Sequence, residues 1–168
     1  MKKIAIIYGS TTGNTETVAK SIAEKLSSED VQLIEASNLK VEDVETFPNL
    51  ILGTSTWGLG DLQDDWETAL PILKKCDLSG KTIAFFGLGD SGSYSDTFVD
   101  AMGTLYEAIK NTGCTFVGKT SVKDYQFDAS KAVVDDCFVG VALDEDSESN
   151  LTNNRLEQWI ANILPHLQ

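Results

Sequence analysis

The sequence is poor in basic residues: it has 13 Lys and Arg against 26 Asp and Glu, a formal net charge of −13 at pH 7. Nucleic acids and anionic membrane surfaces are bound through lysine and arginine, so this balance argues against both as partners. It favours docking onto basic partners at rates that depend on salt. The alternative is that the acidic surface only keeps the protein in solution.

Histidine and cysteine are also scarce. The single histidine, His166, lies close to the end of the sequence, so we expect it at the surface, at a helix end, and not in a catalytic system. Cys76, Cys114 and Cys137 are widely spaced and form no C-x-x-C pair. This pattern predicts reduced, mostly buried, intracellular thiols without a disulfide framework, an iron–sulfur cluster or a zinc site. We therefore expect no metal and no catalytic residues.

Long apolar runs are absent too. The run after Met1-Lys2-Lys3 stops at Gly9, which is too short for a signal-peptide core, and no later run is long enough to span a membrane. We expect a cytoplasmic protein without membrane insertion. The 168 residues, 42% apolar and 23% charged, suit one domain over residues 1–168 with a full hydrophobic core.

Short strand-like runs alternate with helical patterns along the chain. Residues 4–8, 50–52 and 82–86 are continuously apolar, as strands buried on both faces of a parallel sheet require, whereas residues 31–36 alternate and predict an edge strand. Apolar residues at helical spacing form four faces, and residues 39–46 show a weaker helical pattern. The faces consist of Val18, Ala19, Ile22, Ala23 and Leu26; Leu62, Trp66, Ala69, Leu70 and Leu73; Phe98, Met102, Leu105 and Ile109; and Leu156, Trp159, Ile160 and Ile163. Trp66 and Trp159 fit these faces as packing residues.

This order predicts a doubly wound α/β fold with a five-stranded parallel sheet, strand order 2-1-3-4-5, and helices on both faces. After the strand-like run at 114–117, a second such run follows only at 138–143. We expect residues 119–137, about twenty in number, to be an insertion that interrupts the fifth strand.

The loop after the first strand, 7-IYGSTTGNTET-17, has only Gly, Ser, Thr and Asn from Gly9 to Thr15. In such sheets ligands bind beyond the carboxyl ends of the strands, where the winding direction reverses. A helix N-terminus there offers unpaired N–H groups and a partial positive charge, which favours a phosphate. The loop is not a Walker A motif, because Gly9 and Gly13 are one residue too close and Asn14 replaces the lysine. Only two glycines are present, so it is not a dinucleotide fingerprint either; a helix cap that binds nothing remains the alternative.

Two further loops, 54-TSTWGLGDLQ-63 and 87-GLGDSGSYSDTF-98, should emerge at the same edge of the sheet. Helix or strand periodicity does not explain their aromatic residues, Trp57 and Tyr94, which are either ordinary surface side chains or a clamp for a flat ligand. A flat heterocycle with a terminal phosphate describes FMN.

The motifs S-T-T-G-N-T, T-S-T-W-G-x-G-D and G-L-G-D-S-x-x-Y-x-D-x-F resemble the three cofactor loops of flavodoxins. The insertion and the following segment 143–159 are similar to the long-chain subgroup. The resemblance implies tightly but non-covalently bound FMN and low-potential one-electron transfer between semiquinone and hydroquinone, in a role like that of ferredoxin. It implies a monomer that docks on basic faces of redox proteins, such as ferredoxin-NADP reductase-like enzymes, photosystem I or other reductases.

The resemblance also implies roles for individual residues. The phosphate loop would surround the FMN phosphate, Thr56 would reach the phosphate or the ribityl chain, and Asp146 a ribityl hydroxyl. Trp57 would cover the inner flavin face and Tyr94 the outer one, with Asp90 at the pyrimidine end. The full implied set is Ser10, Thr11, Thr12, Gly13, Asn14, Thr15, Thr54, Ser55, Thr56, Trp57, Gly58, Leu59, Gly60, Gly87, Leu88, Gly89, Asp90, Tyr94, Asp96, Phe98 and Asp146.

Two features bear on the redox properties that the resemblance implies. In the family, the peptide after the residue at Trp57 turns its carbonyl toward flavin N5, and Gly58 adopts the positive φ of that turn with the least penalty. Carboxylates cluster near the loops and should disfavour the second electron, since a unit charge 10 Å away costs about 1.7 kcal/mol at an effective dielectric of ~20. They are Asp61, Asp64, Asp65, Asp90, Asp96, Asp100 and Asp146.

Two rival functions use the same topology. An FMN-dependent NAD(P)H:quinone reductase needs space above the flavin for a second substrate, where Tyr94 would stack. A signalling receiver domain needs an acidic pair after the first strand, where this sequence has Gly9 and Ser10.

Overall fold

Strands and helices alternate along the chain, and the computed structural model describes all of residues 1–168. The strands are β1 (Lys3–Gly9), β2 (Asp30–Glu35), β3 (Asn49–Trp57), β4 (Asp61–Leu62), β5 (Thr82–Leu88), β6 (Thr115–Phe116), β7 (Thr120–Ser121), β8 (Val133–Val134), β9 (Cys137–Phe138) and β10 (Val141–Leu143). The helices are α1 (Asn14–Lys25), α2 (Val41–Thr46), α3 (Trp66–Lys75), α4 (Asp100–Ile109) and α5 (Thr152–Ile163). Every helical pattern of the sequence, including the weak one at 39–46, therefore corresponds to a helix.

The central sheet is parallel and has the order β2-β1-β3-β5, with the short strands β6 and β10 both paired to β5. With β6 and β10 taken as one interrupted strand, this confirms the predicted order 2-1-3-4-5. The prediction of an edge strand at 31–36 is also confirmed, since β2 pairs only with β1. The winding direction reverses between β1 and β3, so the loops after these strands open a crevice at the carboxyl edge.

The two faces of the sheet bury separate apolar layers. Alternate residues of β1 point to opposite sides, as the strand period requires. Ile6 packs in the layer formed with α1 and α5, which includes Trp159, whereas Ile7 packs in the layer formed with α2, α3 and α4, which includes Trp66. Both tryptophans are almost fully buried, which confirms their prediction as packing residues.

The insertion interrupts the fifth strand, as predicted, and forms a small antiparallel sheet of its own with the order β7-β9-β8. The prediction of one strand over 138–143 was wrong, because Phe138 ends β9 and β10 begins only at Val141. Gly140 lies against the backbone of β5 at this break: a Cβ there would be 2.1 Å from the carbonyl oxygen of Phe85. Phe138 contacts the rings of Phe98, Tyr125 and Phe127 and belongs to the core layer on the Ile7 face of the central sheet.

Three residues assigned to helical faces lie outside their helices, although all three pack against the core. Leu26 is the C-cap residue that directly follows α1. Leu62 belongs to β4, which pairs antiparallel with the end of β3. Phe98 precedes α4 because Val99 has φ of 48°, a left-handed conformation that no α-helix continues through. Apolar spacing alone could not detect either interruption.

The scarce residue types lie mostly at or near the surface. His166 is exposed in a short 3-10 turn at the end of the chain, as predicted. The three cysteines are free and partly buried, and Cys76 and Cys114 pack against the core, in agreement with the prediction of mostly buried thiols. No group of three or more His, Cys, Asp or Glu side chains is placed to hold a metal ion. None of the helices has both the length and the apolar character needed to cross a membrane.

Candidate functional site

A cavity of about 390 Å³ opens where the chain leaves the carboxyl ends of β1, β3, β5 and β10. Its volume lies in the range of small-molecule sites, about 300–1,000 Å³. The lining residues are Thr12, Asn14, Ser55, Thr56, Trp57, Gly58, Leu88, Gly89, Asp90, Tyr94, Glu145 and Asp146. The three loops that the sequence singled out thus meet at one site, joined by a fourth that contains Glu145 and Asp146.

The first loop ends at a helix N-terminus without a side-chain cap. Gly13 occupies the N-cap position with φ of 97°, and no side chain hydrogen-bonds to the first turn of α1. Within the loop, the Gly13 N–H donates to Ser10 Oγ at 3.1 Å. The hydroxyl of Ser10 therefore shapes the loop instead of capping α1, and the first-turn N–H groups remain available to an anion.

Gln63 supports this loop from the protein interior, a role that no sequence pattern predicts. It is buried, and its Nε2 donates to Thr11 Oγ1 at 3.2 Å and to Asp65 Oδ2 at 3.1 Å. A Cβ on Gly9 would lie 2.1 Å from Gln63 Oε1, so glycine at position 9 is what admits this side chain. The only feature of the sequence that points to a buried Gln63 is its position as a polar residue just before a strongly apolar helix.

The second loop is a tight turn followed by the short strand β4. The Gly60 N–H donates to the Trp57 carbonyl at 3.1 Å, and Gly58, the first central residue of this turn, has φ of 54°. A Cβ on Gly60 would lie 2.7 Å from Asp100 Oδ2, so the turn rests on the N-terminus of α4. The Trp57 ring, 40% exposed, stands at the cavity wall, while Leu59, 86% exposed, points to solvent.

The third and fourth loops are joined through two carboxylates. Asp144, fully buried, accepts hydrogen bonds from the Ser91 N–H at 3.0 Å and the Ser147 N–H at 2.9 Å. Asp90 Oδ1 accepts from the Ser93 N–H at 3.0 Å and from Ser147 Oγ at 3.3 Å. Asp144 escaped prediction because it stands in an acidic run, Asp144-Glu145-Asp146, that looks solvated from the sequence.

The electrostatics of the cavity are acidic. Asp90, Glu145 and Asp146 line it, and no Lys or Arg does. Partial burial raises the pKa of Asp146, and the negative charges of Asp90, Asp144 and Glu145 raise it further. Partial burial also acts to raise the pKa of Asp90, but hydrogen bonds from Ser93 and other donors outweigh it and lower that pKa.

Ten of the residues in the implied set do not line the cavity. Ser10, Thr11, Gly13, Thr15, Leu59 and Gly60 belong to the loops around it. Four others lie elsewhere for identifiable reasons. Phe98 is fully buried against the aromatic rings of the insertion, and Gly87 is buried because α4 passes over it, where a Cβ would lie 2.8 Å from Met102 Cβ. Thr54 is buried with its hydroxyl donating to the Ser55 carbonyl at 2.9 Å, and Asp96 is exposed on a 3-10 turn.

Comparison with known sequences gives one consistent result over nearly the whole chain. A family model described as flavodoxin matches residues 6–159. A flavodoxin of Buchnera aphidicola is 44% identical over 167 residues, 99% of this chain and 98% of the relative. A flavodoxin of Synechocystis is 43% identical over 169 residues, 100% of this chain and 99% of the relative. Flavodoxin 1 of Escherichia coli is 40% identical over 163 residues, 96% of this chain and 93% of the relative.

Comparison with solved structures agrees. The crystal structure of Fusobacterium nucleatum flavodoxin bound to flavin mononucleotide matches with a TM-score of 0.95 at 30% identity, over 100% of both chains. Oxidised flavodoxin 1 from Bacillus cereus matches with a TM-score of 0.72 at 25% identity, over 99% of this chain and 100% of that chain.

Proposed function

This chain belongs to the flavodoxin family, and from that premise we propose that its cavity binds FMN non-covalently and that the protein carries single electrons at low potential. Flavodoxins are electron-transfer proteins and not enzymes, so no catalytic residue is assigned. The observation that carries the proposal is the position of the cavity, between two aromatic side chains at one end and the uncapped start of α1 at the other.

The residues present fit the cofactor chemically. Ser55 lines the cavity, and its Oγ is buried without a hydrogen-bond partner in the protein. A buried hydroxyl left unpaired costs about 1–3 kcal/mol, which a ligand hydrogen bond would recover. Thr56 and Asp146 also line the cavity and would bind the polyol chain.

The phosphate end is served by the loop from Ser10 to Thr15 and by the first turn of α1. Backbone N–H groups and the hydroxyl of Thr12 are donors, and the helix dipole favours an anion at this end. Since no Lys or Arg lines the cavity, the phosphate charge is compensated only by these neutral donors. That arrangement suits a phosphate that is held, not transferred.

The ring end is served by Trp57 and Tyr94. Both side chains are partly exposed and line the cavity from different loops, so a flat ring between them would bury aromatic surface on each face. Bound FMN supplies reversible uptake of one electron at a time. The carboxylates of Asp90, Glu145 and Asp146 oppose added negative charge on the ring, which makes the second electron harder to add and the reduced protein a stronger donor.

A quinone reductase function on the same fold is not favoured, because the relatives named above are flavodoxins. The chain also places Tyr94 where a second substrate would need to stack. Turnover of NAD(P)H with a quinone by the purified protein alone would support that rival.

The partners follow from the charge around the cavity. A net charge of −13 and an acidic cavity rim fit basic faces of redox proteins, such as ferredoxin-NADP reductase-like enzymes or photosystem I. Residues 1–168 would act as one domain and as a monomer in the cytoplasm. Cross-linking to such partners at low salt, and its loss at high salt, is the expected behaviour.

FMN binding can be measured directly by titrating apoprotein into FMN and following the flavin fluorescence. We expect one FMN per chain and much weaker binding of riboflavin, which lacks the phosphate. Trp57→Ala and Tyr94→Ala should each weaken FMN binding by about 5- to 150-fold, from ~1–3 kcal/mol of stacking per ring. Leu33→Ala removes an apolar side chain of similar exposure (37%) on the edge strand β2 and should change nothing. Equal affinity for riboflavin and FMN would contradict the assignment of the phosphate loop.

A further inference from the structure

A second pocket, of about 250 Å³, lies between the insertion and α5. Its lining contains two cations, Lys119 and Arg155, and one acid, Asp124. The other lining residues are Thr120, Ser121, Tyr125, Val141, Gln158, Trp159 and Asn162. Most of this surface can therefore donate hydrogen bonds.

The guanidinium of Arg155 is fixed at this pocket but is only partly paired. Its Cζ lies 4.0 Å from the centre of the Tyr125 ring, and its Nη2 donates to Glu148 Oε1 at 3.3 Å. The side chain is only 11% exposed, and the second nitrogen, Nη1, is buried without any hydrogen-bond partner. Leaving a charged N–H group buried and unpaired is unfavourable, and because Nη1 has almost no accessible surface, a small shift of the side chains around it is needed to admit an acceptor.

Further donors in the lining are also unused. Lys119 forms no ion pair within the chain. Ser121 Oγ accepts a hydrogen bond from the Lys123 N–H at 3.2 Å, which leaves its own O–H free. The side-chain amides of Gln158 and Asn162 make no hydrogen bond in the protein.

The polar atoms of the two aromatic residues in the pocket, by contrast, already form hydrogen bonds within the protein. The Tyr125 hydroxyl donates to the Ala142 carbonyl at 2.6 Å, and Trp159 Nε1 donates to the Gly118 carbonyl at 3.0 Å. These bonds hold the insertion against β10 and α5. These two aromatic side chains are therefore held in place. The hydrogen-bond donors without a partner belong to Lys119, Arg155, Gln158, Asn162 and Ser121.

We propose that this pocket binds a small oxyanion, a phosphate or a carboxylate, between Arg155 and Lys119. A guanidinium matches the planar or tetrahedral oxygens of such groups, and the neutral amides complete their coordination. A water molecule takes about 30 Å³ in the liquid, so the pocket has room for the anion and several waters. The carboxylate of Asp124 repels the anion and keeps the affinity modest.

The bound anion would connect two parts of the chain. Lys119, Ser121 and Tyr125 belong to the insertion, whereas Arg155 lies in the first turns of α5. A ligand that binds both in the folded state only raises the free energy of unfolding as its concentration rises. The site is therefore a means by which solution anions stabilise the docking of the insertion.

The test uses the protein saturated with FMN, so that the phosphate loop of the cofactor cavity is filled. Calorimetry with inorganic phosphate and, separately, with acetate is carried out at constant ionic strength, with chloride as the balancing salt. We expect saturable binding of at least one of the two anions, and the comparison shows which oxyanion the pocket prefers. Absence of saturable binding for both anions overturns the proposal.

Two charge variants are expected to change the anion affinity in opposite directions. Lys119→Gln should weaken anion binding several-fold to tenfold, and Asp124→Asn should strengthen it by a similar factor. Lys123→Gln, an exposed lysine of the same insertion outside the pocket lining, should leave the affinity unchanged. Arg155→Gln should abolish binding, but it also removes the contacts to Tyr125 and Glu148, so the decision rests on the first two variants. Equal effects of Lys119→Gln and Lys123→Gln would show a general charge effect and overturn the site.

Discussion

At the scale of single residues, Gly58 is the position where we expect backbone conformation to affect the reduction potential. Its φ of 54° places it in the left-handed region, where a side chain costs about 1–2 kcal/mol. A Cβ would also lie 3.2 Å from Asp61 Oδ2. The turn from Trp57 to Gly60 therefore adopts its present form most readily with glycine at its first central position.

Gly58→Ala should lower the potential at which the protein takes up its first electron, if this turn stabilises the added electron and proton. A differential of ~1–2 kcal/mol corresponds to about 40–85 mV, since ~1.4 kcal/mol moves a one-electron couple by about 59 mV. Redox titration of the variant measures the shift.

The matched control is Gly80→Ala. Gly80 has φ of 77°, a Cβ added there would have no atom within 4 Å, and the residue lies just before β5, away from the cavity. The control should lose stability to a similar degree without any change of potential. An unchanged or raised first potential in Gly58→Ala would show that this turn does not set it.

Asp146 is the cavity carboxylate whose charge is most easily removed. Burial first, and the charges of Asp90, Asp144 and Glu145 next, raise its pKa, so it gains a proton at a higher pH than an ordinary aspartate. Because the folded protein holds this proton more tightly than the unfolded chain, the contribution of Asp146 to stability falls as the pH rises through this range. Asp90 behaves oppositely: its pKa is lowered, so its stabilising contribution is lost only as the pH falls through the folded value.

Asp146→Asn should raise the potential of the second electron at neutral pH by about 20–40 mV, because interactions of surface charges are worth ~0.5–1 kcal/mol. The difference from the parent should shrink at acidic pH, where Asp146 is itself neutral. Asp77→Asn removes a similar charge at Asp77, which lies before β5 and away from the cavity, and serves as control. A shift that is the same for both variants, or independent of pH, would rule out a local effect of Asp146.

At the scale of elements, α1 and the insertion differ in how much of their role could be predicted. The start of α1 could be predicted, because a Gly-Ser-Thr loop separates an apolar strand from an amphipathic helix; that this loop binds a phosphate stays a prediction. For the insertion, only its interruption of the fifth strand could be predicted. Its segment around Asp128 bonds the Tyr94 loop: the N–H groups of Asp128 and Ala129 donate to the Ser95 carbonyl at 2.9 and 3.0 Å. Contacts between segments so far apart in sequence leave no local pattern.

Adding a cation at the start of α1 tests the account of the phosphate end. Asn14→Lys should raise the potential of the second electron, because the phosphate charge would then be partly compensated. Ser27→Lys adds the same charge beyond the far end of α1 and should have little effect. If Asn14→Lys leaves the second potential where it was, the absence of cations from the loop has no redox role.

The same contrast holds for the rest of the site. The strand order and the three loops followed from apolar patterning and from the edge rule for parallel sheets. The roles of Gln63 and Asp144 could not be predicted. A buried polar residue is recognised by its hydrogen-bond partners, and these lie 52 and 53 residues away in the sequence. Phe98 and Gly87 belong to the same sequence motif as several cavity residues, but they pack in the core. Their location depends on the left-handed backbone of Val99 and on Met102, which lies against Gly87.

At the scale of the whole molecule, charge is separated along the strand direction. Lysines gather where strands begin and helices end, opposite the cavity. They include Lys2, Lys3, Lys25, Lys74, Lys75, Lys81 and Lys110. The cavity lining contains three carboxylates and no cation. We therefore expect a basic partner to be attracted to the edge where Trp57 and Tyr94 are exposed, and electron transfer to a basic c-type cytochrome to slow as salt increases. A rate that is independent of salt would show that this charge separation does not guide docking.

The central claim is that the chain is a one-electron carrier with bound FMN, and an anaerobic reductive titration of the purified protein tests it most directly. We predict a yellow protein that releases FMN on denaturation and takes up two electrons in separate steps, the second at the more negative potential. A colourless protein that does not take up added FMN, or a single two-electron step, would contradict the account.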